Sequence, residues 1–255
     1  MRNQYRHLRI EKIIEHNERT RSFVLNGNIT SNPGQFVMVW LSGIDEKPIS
    51  LSSVDRITVR NVGPFTAALF EKRKGDYIDI RGPYGNGFNV TGKNTLIGGG
   101  CGIAPLMYLV EKNAASGMVL AGRTKSDLIF LDEIIERIGA NNVIGVTEDG
   151  SYGIKGLATD ASIPRAEHHY YMCGPEIMMK KIGEKLSNEG VDPSFIYLSM
   201  ERYMKCAIKE CGNCSFSGYS VCSDGPVFRY DMVKDLPHFN EKHRTRTGEL
   251  RGLKE

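Results

Sequence analysis

Short apolar runs rich in β-branched and aromatic residues recur between turn signals in the first part of the chain. QFVMVW and RITVRNV are two of these runs, and Asn-Pro-Gly at 32–34 and Lys-Gly-Asp at 74–76 are two of the turns. Such spacing is typical of antiparallel strands joined by tight turns. We therefore predict an antiparallel β-barrel domain over residues 1–92. The predicted strands cover residues 5–14, 20–25, 35–40, 48–53, 56–62 and 76–81.

From about residue 94 the pattern changes to apolar strands that alternate with longer helical stretches. This alternation favours a parallel sheet covered by helices, and it predicts an α/β domain over residues 93–198. The predicted strands cover residues 95–99, 118–123, 143–147, 168–173 and 195–199, and the predicted helices cover 103–113, 126–139 and 176–189.

Two further segments follow the α/β pattern. Residues 199–230 hold four of the six cysteines, and they predict a small metal-binding segment. Residues 231–255 are polar and lack an apolar period, which predicts a loosely held tail.

The composition narrows the class of protein. The chain has 255 residues, of which 25% are charged and 40% are hydrophobic, as in ordinary globular proteins of one or two domains. A net charge of +3 is too small for a nucleic-acid groove. No apolar run reaches the ~18 residues that a membrane helix needs, and the charged N-terminus lacks a secretory signal. We expect a cytoplasmic location without nucleic-acid or membrane partners, where disulfide frameworks are rare.

The stretch CAIKECGNC places Cys206, Cys211 and Cys214 in a C-x4-C-x2-C array, and Cys222 follows eight positions later. This is the plant-type spacing of a [2Fe-2S] cluster. Structural zinc sites pair their ligands as C-x2-4-C twice over, and Cys206 and Cys222 form no second pair of that kind. The spacing favours an iron–sulfur cluster and leaves zinc as the alternative.

Glycines mark a second candidate site between a predicted strand and a predicted helix. A tight turn of this kind lets backbone N–H groups approach a pyrophosphate, although the pattern is not the standard G-x-G-x-x-G. The sequence MCGPEIMM ends a later strand of the same sheet, so Cys173 is expected to face the same crevice. A structural turn and a small buried cysteine are the alternatives. The glycines are Gly98, Gly99, Gly100 and Gly102.

Two stretches of the predicted barrel are more polar than strands require. KPISLSS carries Lys47 and Ser50, and GPFT ends on Thr66. A cation and hydroxyl groups on one face suit a phosphate-bearing cofactor. Ordinary strand and turn chemistry is the alternative.

The order of these motifs carries a family resemblance. [KR]-P-x-S, G-P-[YL]-G-x-G-F, G-G-G-x-G-x-x-P and C-G-P follow one another as in the ferredoxin reductase family. The array E-R-Y-M-K-C-x4-C-x2-C, its fourth cysteine and D-G-P-V-F resemble one branch, the electron-transfer subunits of type 1B dihydroorotate dehydrogenase. The resemblance covers residues from about 5 to 230. It implies FAD on the barrel and a nicotinamide dinucleotide on the α/β domain. The implied FAD contacts are Lys47, Pro48, Ile49, Ser50, Val59, Arg60, Phe65 and Thr66.

The chain departs from the family pattern at two FAD positions. Lys47 stands where arginine is usual, and it lacks the bidentate fork of a guanidinium. Phe65 takes the place of the glycine in the usual Gly-Thr pair.

The resemblance also implies a function. A partner subunit with FMN would oxidise dihydroorotate in pyrimidine biosynthesis, and electrons would cross the cluster and FAD to NAD within a heterotetramer. A flavin is needed between the two because it exchanges both hydrides and single electrons. Ser50 would donate a hydrogen bond near the reactive nitrogen of the flavin, and Cys173 would lie on the nicotinamide side.

Several alternatives stay open at this point. Arg123 and Lys125 follow the second α/β strand and favour NADP, whereas the family branch uses NAD. Related flavin and iron–sulfur subunits serve ferredoxin:NADP transhydrogenase and hydrogenase-type complexes. A nucleotide-binding module whose cysteines hold zinc is the alternative that is not an enzyme.

Overall fold

The computed structural model of the chain describes residues 4–165, 168–245 and 249–252. Its first domain is a six-stranded antiparallel sheet, as predicted, curled around a core that includes Ile10, Phe23 and Ile57. The elements are β1 (Arg6–Asn17), β2 (Thr20–Leu25), β3 (Phe36–Leu41), β4 (Asp45–Ser50), β5 (Arg56–Arg60), α1 (Pro64–Phe70) and β6 (Tyr77–Tyr84). The strand order is β4-β3-β6-β1-β2-β5, which places β4 and β5 at the two edges.

The second domain is a parallel sheet with helices, again as predicted. Its elements are β7 (Asn94–Gly99), α2 (Ile103–Glu111), β8 (Ala115–Gly122), α3 (Leu131–Ile138), β9 (Val143–Thr147), β10 (Ile154–Lys155), β11 (Tyr170–Cys173), α4 (Glu176–Asn188) and β12 (Ile196–Ser199). The sheet order is β10-β9-β8-β7-β11-β12. The carboxyl ends of β7, β11 and β12 therefore meet at one edge.

The cysteine segment leaves the α/β sheet and then returns to it. Its elements are β13 (Ser215–Phe216), β14 (Tyr219–Ser220), α5 (Val221–Asp224), β15 (Val227–Arg229), α6 (Tyr230–Val233), β16 (Lys242–Arg244) and β17 (Leu250–Gly252). β15 pairs antiparallel with β12 and becomes the edge strand of the second sheet. Phe216, Cys214 and Cys222 share a core with Met38 and Tyr84 of the barrel. The segment is thus packed between the two domains.

Three sequence expectations differ from the structure. The helix predicted over 126–139 begins only at Leu131, because Phe130 takes a left-handed backbone with φ 64°. The turn GPFT is the start of α1, with Pro64 in the first helical turn. The strand predicted over 48–53 runs over 45–50, where it pairs with β3.

The predicted loose tail is wrong for its first part. Val233 and Phe239 are fully buried, and the Phe239 ring lies 6.3 Å from the Tyr230 ring. These apolar residues are too far apart in sequence to show a period. Residues 246–248 and 253–255 of the predicted tail, and residues 1–3 of the predicted barrel, lie outside the described residues. Among the described residues, no helix combines the length and the apolar character needed to cross a bilayer.

His16 on β1 makes the stability of the barrel pH-dependent. Its Nε2 lies 2.7 Å from Ser22 Oγ, and its ring lies 4.2 Å from that of Phe130. Burial, with the nearby charge of Arg56, lowers the pKa of His16 from 6.5 to about 4. The unfolded chain therefore binds more protons than the folded chain between these two pH values, so the free energy of unfolding falls as the pH is lowered through this window.

We expect the substitution His16→Gln to remove this pH dependence. An amide keeps a partner for Ser22 and does not titrate. Because solvent reaches part of the ring, we expect His16 to account for about 2 kcal/mol of the loss between pH 6.5 and pH 4. Urea unfolding at several pH values measures the slope. An equal slope in the wild type and the variant would contradict the assignment.

Candidate cofactor crevice and cysteine cluster

The glycine turn and Cys173 meet at the carboxyl edge of the parallel sheet, as predicted. Cys173 pairs with Gly98 between the adjacent strands β11 and β7. The next residues, Gly100–Gly102, form one 3-10 turn that leads into α2. A Cβ atom added to Gly102 would lie 2.3 Å from the carbonyl oxygen of Cys173. Only glycine lets the two backbone segments approach so closely.

The barrel lies next to this turn, and the junction of the turn with Arg60 is named the candidate cofactor crevice below. The backbone of Arg60, at the end of β5, hydrogen-bonds to the thiol of Cys101. A Cβ atom on Gly100 would lie 3.8 Å from Arg60 Nη1. Val59 is buried in the barrel core. The predicted FAD residue Arg60 and the predicted dinucleotide turn are thus neighbours.

The predicted FAD residues of β4 are half-buried along an edge strand. They are Lys47, Pro48, Ile49 and Ser50. Lys47 Nζ lies 2.6 Å from Asp45 Oδ2 and 5.0 Å from the ring centre of Tyr203. The strand that carries the predicted flavin contacts therefore touches the segment that leads into the cysteine array.

Thr66 closes the turn that precedes α1. Its Oγ1 accepts hydrogen bonds from the backbone N–H groups of Val62 and Gly63, at 2.9 and 3.0 Å. Phe65 beside it is buried. The Thr66 hydroxyl is therefore engaged in shaping the turn, which leads directly out of β5.

Both thiols at this edge of the sheet are held in the protonated form. Cys101 is half-buried, whereas Cys173 is only 2% exposed and packs in the core of the α/β domain, as the alternative of a small buried cysteine expects. Burial, followed by the charge of Glu201, raises the pKa of Cys101 to about 12. The same two causes, in the same order, raise the pKa of Cys173, and a hydrogen bond with Ser199 opposes them. Neither thiol is a nucleophile at neutral pH, since nucleophilic cysteines react as thiolates. This chemistry agrees with hydride transfer, which needs no acid or base from the protein.

Glu201 is a crevice residue that the sequence analysis missed. It follows β12 by two residues, and its charge acts on both Cys101 and Cys173. Glu201 is exposed at the surface, but the protein around its carboxyl group still desolvates it and raises its pKa, and the charge of Glu176 adds to this. The signal that could have found it is its position just after the carboxyl end of a strand adjacent to β11, where ligands of such sheets bind.

The loop 206–214 folds around the sulfur of Cys206. Ala207 and Lys209 both have left-handed backbones, with φ of 63° and 68°. Left-handed residues at alternate positions turn backbone N–H groups toward the inside of the loop. Such an arrangement binds anions and is found at iron–sulfur sites. The N–H groups of Ile208 and Cys211 both lie 3.4 Å from Cys206 Sγ. The loop is therefore built for an anionic group.

The four cysteines form two pairs. Cys206 hydrogen-bonds to Cys211 in the outer pair, and Cys214 to Cys222 in the inner pair. The Cys222 thiol lowers the pKa of Cys214 to about 6. At Cys211, burial opposes ionisation, but hydrogen bonds from Asn213 and Cys206 outweigh it and lower the pKa to about 7. Each pair thus supplies a thiolate near neutral pH.

The pairing fits two irons better than one zinc. A [2Fe-2S] cluster has four cysteine ligands shared by two irons, whereas a structural zinc ion takes all four ligands at one point. The inner pair is buried and Cys211 is exposed. A cluster held here would reach the surface on its Cys211 side.

Comparison with known proteins agrees with this geometry. The family described as the iron-sulfur cluster binding domain of dihydroorotate dehydrogenase B matches residues 201–234. A Pyrococcus horikoshii protein named "Probable dihydroorotate dehydrogenase B (NAD(+)), electron transfer subunit" is 44% identical over 239 residues, which cover 92% of this chain and 93% of that protein. The chain belongs to the family of dihydroorotate dehydrogenase B electron transfer subunits.

Other members and solved structures of this fold extend the comparison. A Methanocaldococcus jannaschii protein of the same name is 40% identical over 251 residues, covering 94% of this chain and 95% of that one. The structure of an NADH-dependent reduced ferredoxin-NADP oxidoreductase has a TM-score of 0.76 at 31% identity, covering 89% of this chain and 91% of that one. The Flavohem-like-FAD/NAD binding domain of a Vibrio cholerae nitric oxide dioxygenase, with a TM-score of 0.66 at 22% identity, covers 76% of this chain and 97% of that one and shows the fold alone.

Membership of this family confirms the resemblance drawn from the order of the motifs. The family segment 201–234 contains all four cysteines of the two pairs. It also begins at Glu201, so the crevice residue and the cluster ligands lie in one segment. The iron–sulfur interpretation is thereby favoured over zinc.

Proposed function

We propose that this oxidoreductase subunit passes electrons between a dihydroorotate-oxidising partner and NAD, through a [2Fe-2S] cluster and FAD. The observation that carries the proposal is the placement of the two cysteine pairs. They lie in the segment that leaves the cofactor crevice at Glu201. Through Tyr203 this segment packs against β4, which carries the predicted flavin contacts and is called the FAD strand below. One chain thus joins a site for a one-electron carrier to a site for a hydride carrier.

The residues of this chain divide between three cofactors. Cys206, Cys211, Cys214 and Cys222 would hold the cluster, and Gly98, Gly99, Gly100 and Gly102 would give the dinucleotide its close backbone approach. FAD, when bound, supplies the exchange between hydrides and single electrons. Its contacts would come from β4, β5 and α1, at Lys47, Pro48, Ile49, Ser50, Val59, Arg60, Phe65 and Thr66.

The end of β8 supports NAD as the dinucleotide. Lys125 Nζ lies 5.6 Å from the ring centre of Tyr152, and Asp127 Oδ2 accepts a hydrogen bond from the Arg123 backbone at 3.2 Å. An acidic residue in this place suits a free ribose hydroxyl, whereas a 2′-phosphate would meet its negative charge. The names of the relatives also include NAD(+). Arg123 still leaves NADP to be tested by comparing the two dinucleotides.

The partner is proposed to be an FMN-containing dihydroorotate dehydrogenase catalytic subunit in a heterotetramer. The support is the name of the relatives, which are electron transfer subunits, and the exposed side of Cys211. The likeness to a ferredoxin-NADP oxidoreductase favours a second candidate, electron exchange with a ferredoxin. The cytoplasmic location stays a prediction.

Reconstitution separates the two candidates. The purified chain is mixed with a dihydroorotate dehydrogenase catalytic subunit, and in parallel with a reduced ferredoxin, and NAD reduction is followed by absorbance. We expect reduction with dihydroorotate and the catalytic subunit. Reduction with ferredoxin alone would favour the second candidate, and a protein without bound flavin or iron would reject both.

We expect Ser50→Ala to slow hydride transfer from NADH to the flavin. Losing a hydrogen bond near the reactive nitrogen costs about 1.4 kcal/mol, or about tenfold in rate. Stopped-flow flavin reduction measures the rate, with Ser42→Ala in the exposed turn before β4 as the matched control. Unchanged flavin reduction in Ser50→Ala would reject this role.

A further inference from the structure

Arg81 has a partner for every N–H of its guanidinium. Nε and Nη2 donate to the two carboxylate oxygens of Glu46, both at 2.6 Å. Nη1 donates to Tyr84 Oη at 3.1 Å and to the carbonyl oxygen of Cys206 at 2.8 Å, and Nη2 donates to the carbonyl oxygen of Lys205 at 3.0 Å. These five bonds use all five donors of an arginine. The side chain is only 10% exposed.

The guanidinium joins the FAD strand to the first cluster ligand. Glu46 lies on β4, next to the predicted flavin residue Lys47. Cys206 is the first residue of the loop 206–214, which carries the outer cysteine pair. Arg81 itself lies on β6, which is joined to β4 through β3. A planar group with two opposed edges can hold both sides in fixed geometry, which a lysine cannot do.

We propose that Arg81 is a positioning residue for electron transfer, which fixes the cluster loop against the FAD strand and, balanced by Glu46, sets the reduction potential of the cluster. This inference rests on the proposed function. A buried cation beside a cluster ligand favours the reduced, more negative cluster. The carboxylate of Glu46, at hydrogen-bond distance from that cation, opposes this effect.

A separate contact keeps the cysteine segment attached when Arg81 is changed. Asn86 N donates to the carbonyl oxygen of Gly225 at 2.6 Å, and Asn86 Nδ2 donates to the carbonyl oxygen of Ser223 at 3.1 Å. The buried inner pair also shares its core with Met38. Substitutions at Arg81 should therefore loosen the loop at 205–206 and leave the rest of the segment packed.

The test is a redox titration of the cluster in the whole purified protein, followed by electron paramagnetic resonance (EPR). We expect Arg81→Gln to lower the midpoint potential, because Glu46 is left uncompensated. Glu46→Gln should raise the potential, because the cation is left uncompensated. The double variant should return close to the wild type. Arg9→Gln, which breaks an exposed pair with Glu11 on β1, is the matched control and should cause no shift.

The variant Arg81→Lys separates the positioning role of Arg81 from the effect of its charge. Arg81→Lys keeps the cation, so we expect the potential to stay near that of the wild type, while electron exchange between flavin and cluster slows because the fork is lost. If Arg81→Gln loses its cluster, Glu46→Gln and Arg81→Lys carry the test. Potentials that do not move in Glu46→Gln, or that move in the same direction in both single variants, would overturn the inference. A wild-type protein without a cluster would instead reject the proposed function.

Discussion

The variant Cys214→Ser is expected to lose its iron–sulfur absorption and its EPR signal and to keep its flavin. Cys214 belongs to the buried inner pair, where Cys222 N also donates to its sulfur at 3.5 Å. Serine is a harder ligand that lacks the thiolate on which such clusters depend. The barrel and the parallel sheet do not depend on this side chain, so the flavin sites of β4 and β5 should remain.

Iron content, visible spectra and NADH reduction of the flavin measure this result. Cys101→Ser is the matched control, because Cys101 is a cysteine of the same chain outside the two pairs. We expect that variant to keep full iron content. We also expect Cys214→Ser to retain NADH reduction of the flavin and to lose transfer to the partner. A cluster that survives in Cys214→Ser would contradict the pairing.

Gly102→Ala is expected to disrupt the dinucleotide site and to destabilise the α/β domain. The added methyl group would lie 2.3 Å from the carbonyl oxygen of Cys173 and 2.7 Å from the backbone nitrogen of Gly174. Both atoms belong to the backbone, so no side-chain rotation relieves the clash. Overpacking of this kind costs about 1–3 kcal/mol. The shifted turn would also move backbone N–H groups away from the dinucleotide.

Thermal unfolding and the affinity for NADH measure the two consequences. Gly117→Ala on β8 is the matched control, because a methyl group there meets its nearest neighbours at an ordinary 3.4 Å. We expect NADH binding to weaken at least about tenfold in Gly102→Ala and to stay unchanged in Gly117→Ala. Normal NADH binding in Gly102→Ala would contradict the placement of the dinucleotide.

The sequence predicted those elements whose signals are local. The strands at 20–25 and 143–147 match the structure residue for residue, because apolar runs between turn residues define them. β15 has three residues and escaped prediction, since its existence depends on pairing with β12. Helix α1 was not predicted, because a proline such as Pro64 is as common in turns as it is at the start of a helix.

In the candidate site, too, features with a local sequence pattern could be predicted and features that depend on the fold could not. The cysteine spacing and the glycine turn are sequence patterns, so both could be predicted. The folding of the loop around Cys206 could not, because it includes the left-handed backbones of Ala207 and Lys209, which residues of these types seldom adopt. Arg81 and Glu201 also escaped prediction, because their partners come from distant parts of the chain.

The most direct test of the central account is a titration of the anaerobically purified protein with NADH, followed by visible absorption, metal analysis and EPR. The account predicts bound flavin and about two irons per chain, with loss of flavin absorption and the appearance of the EPR signal of a reduced [2Fe-2S] cluster. A colourless protein that carries one zinc per chain and gives no signal with NADH would contradict it.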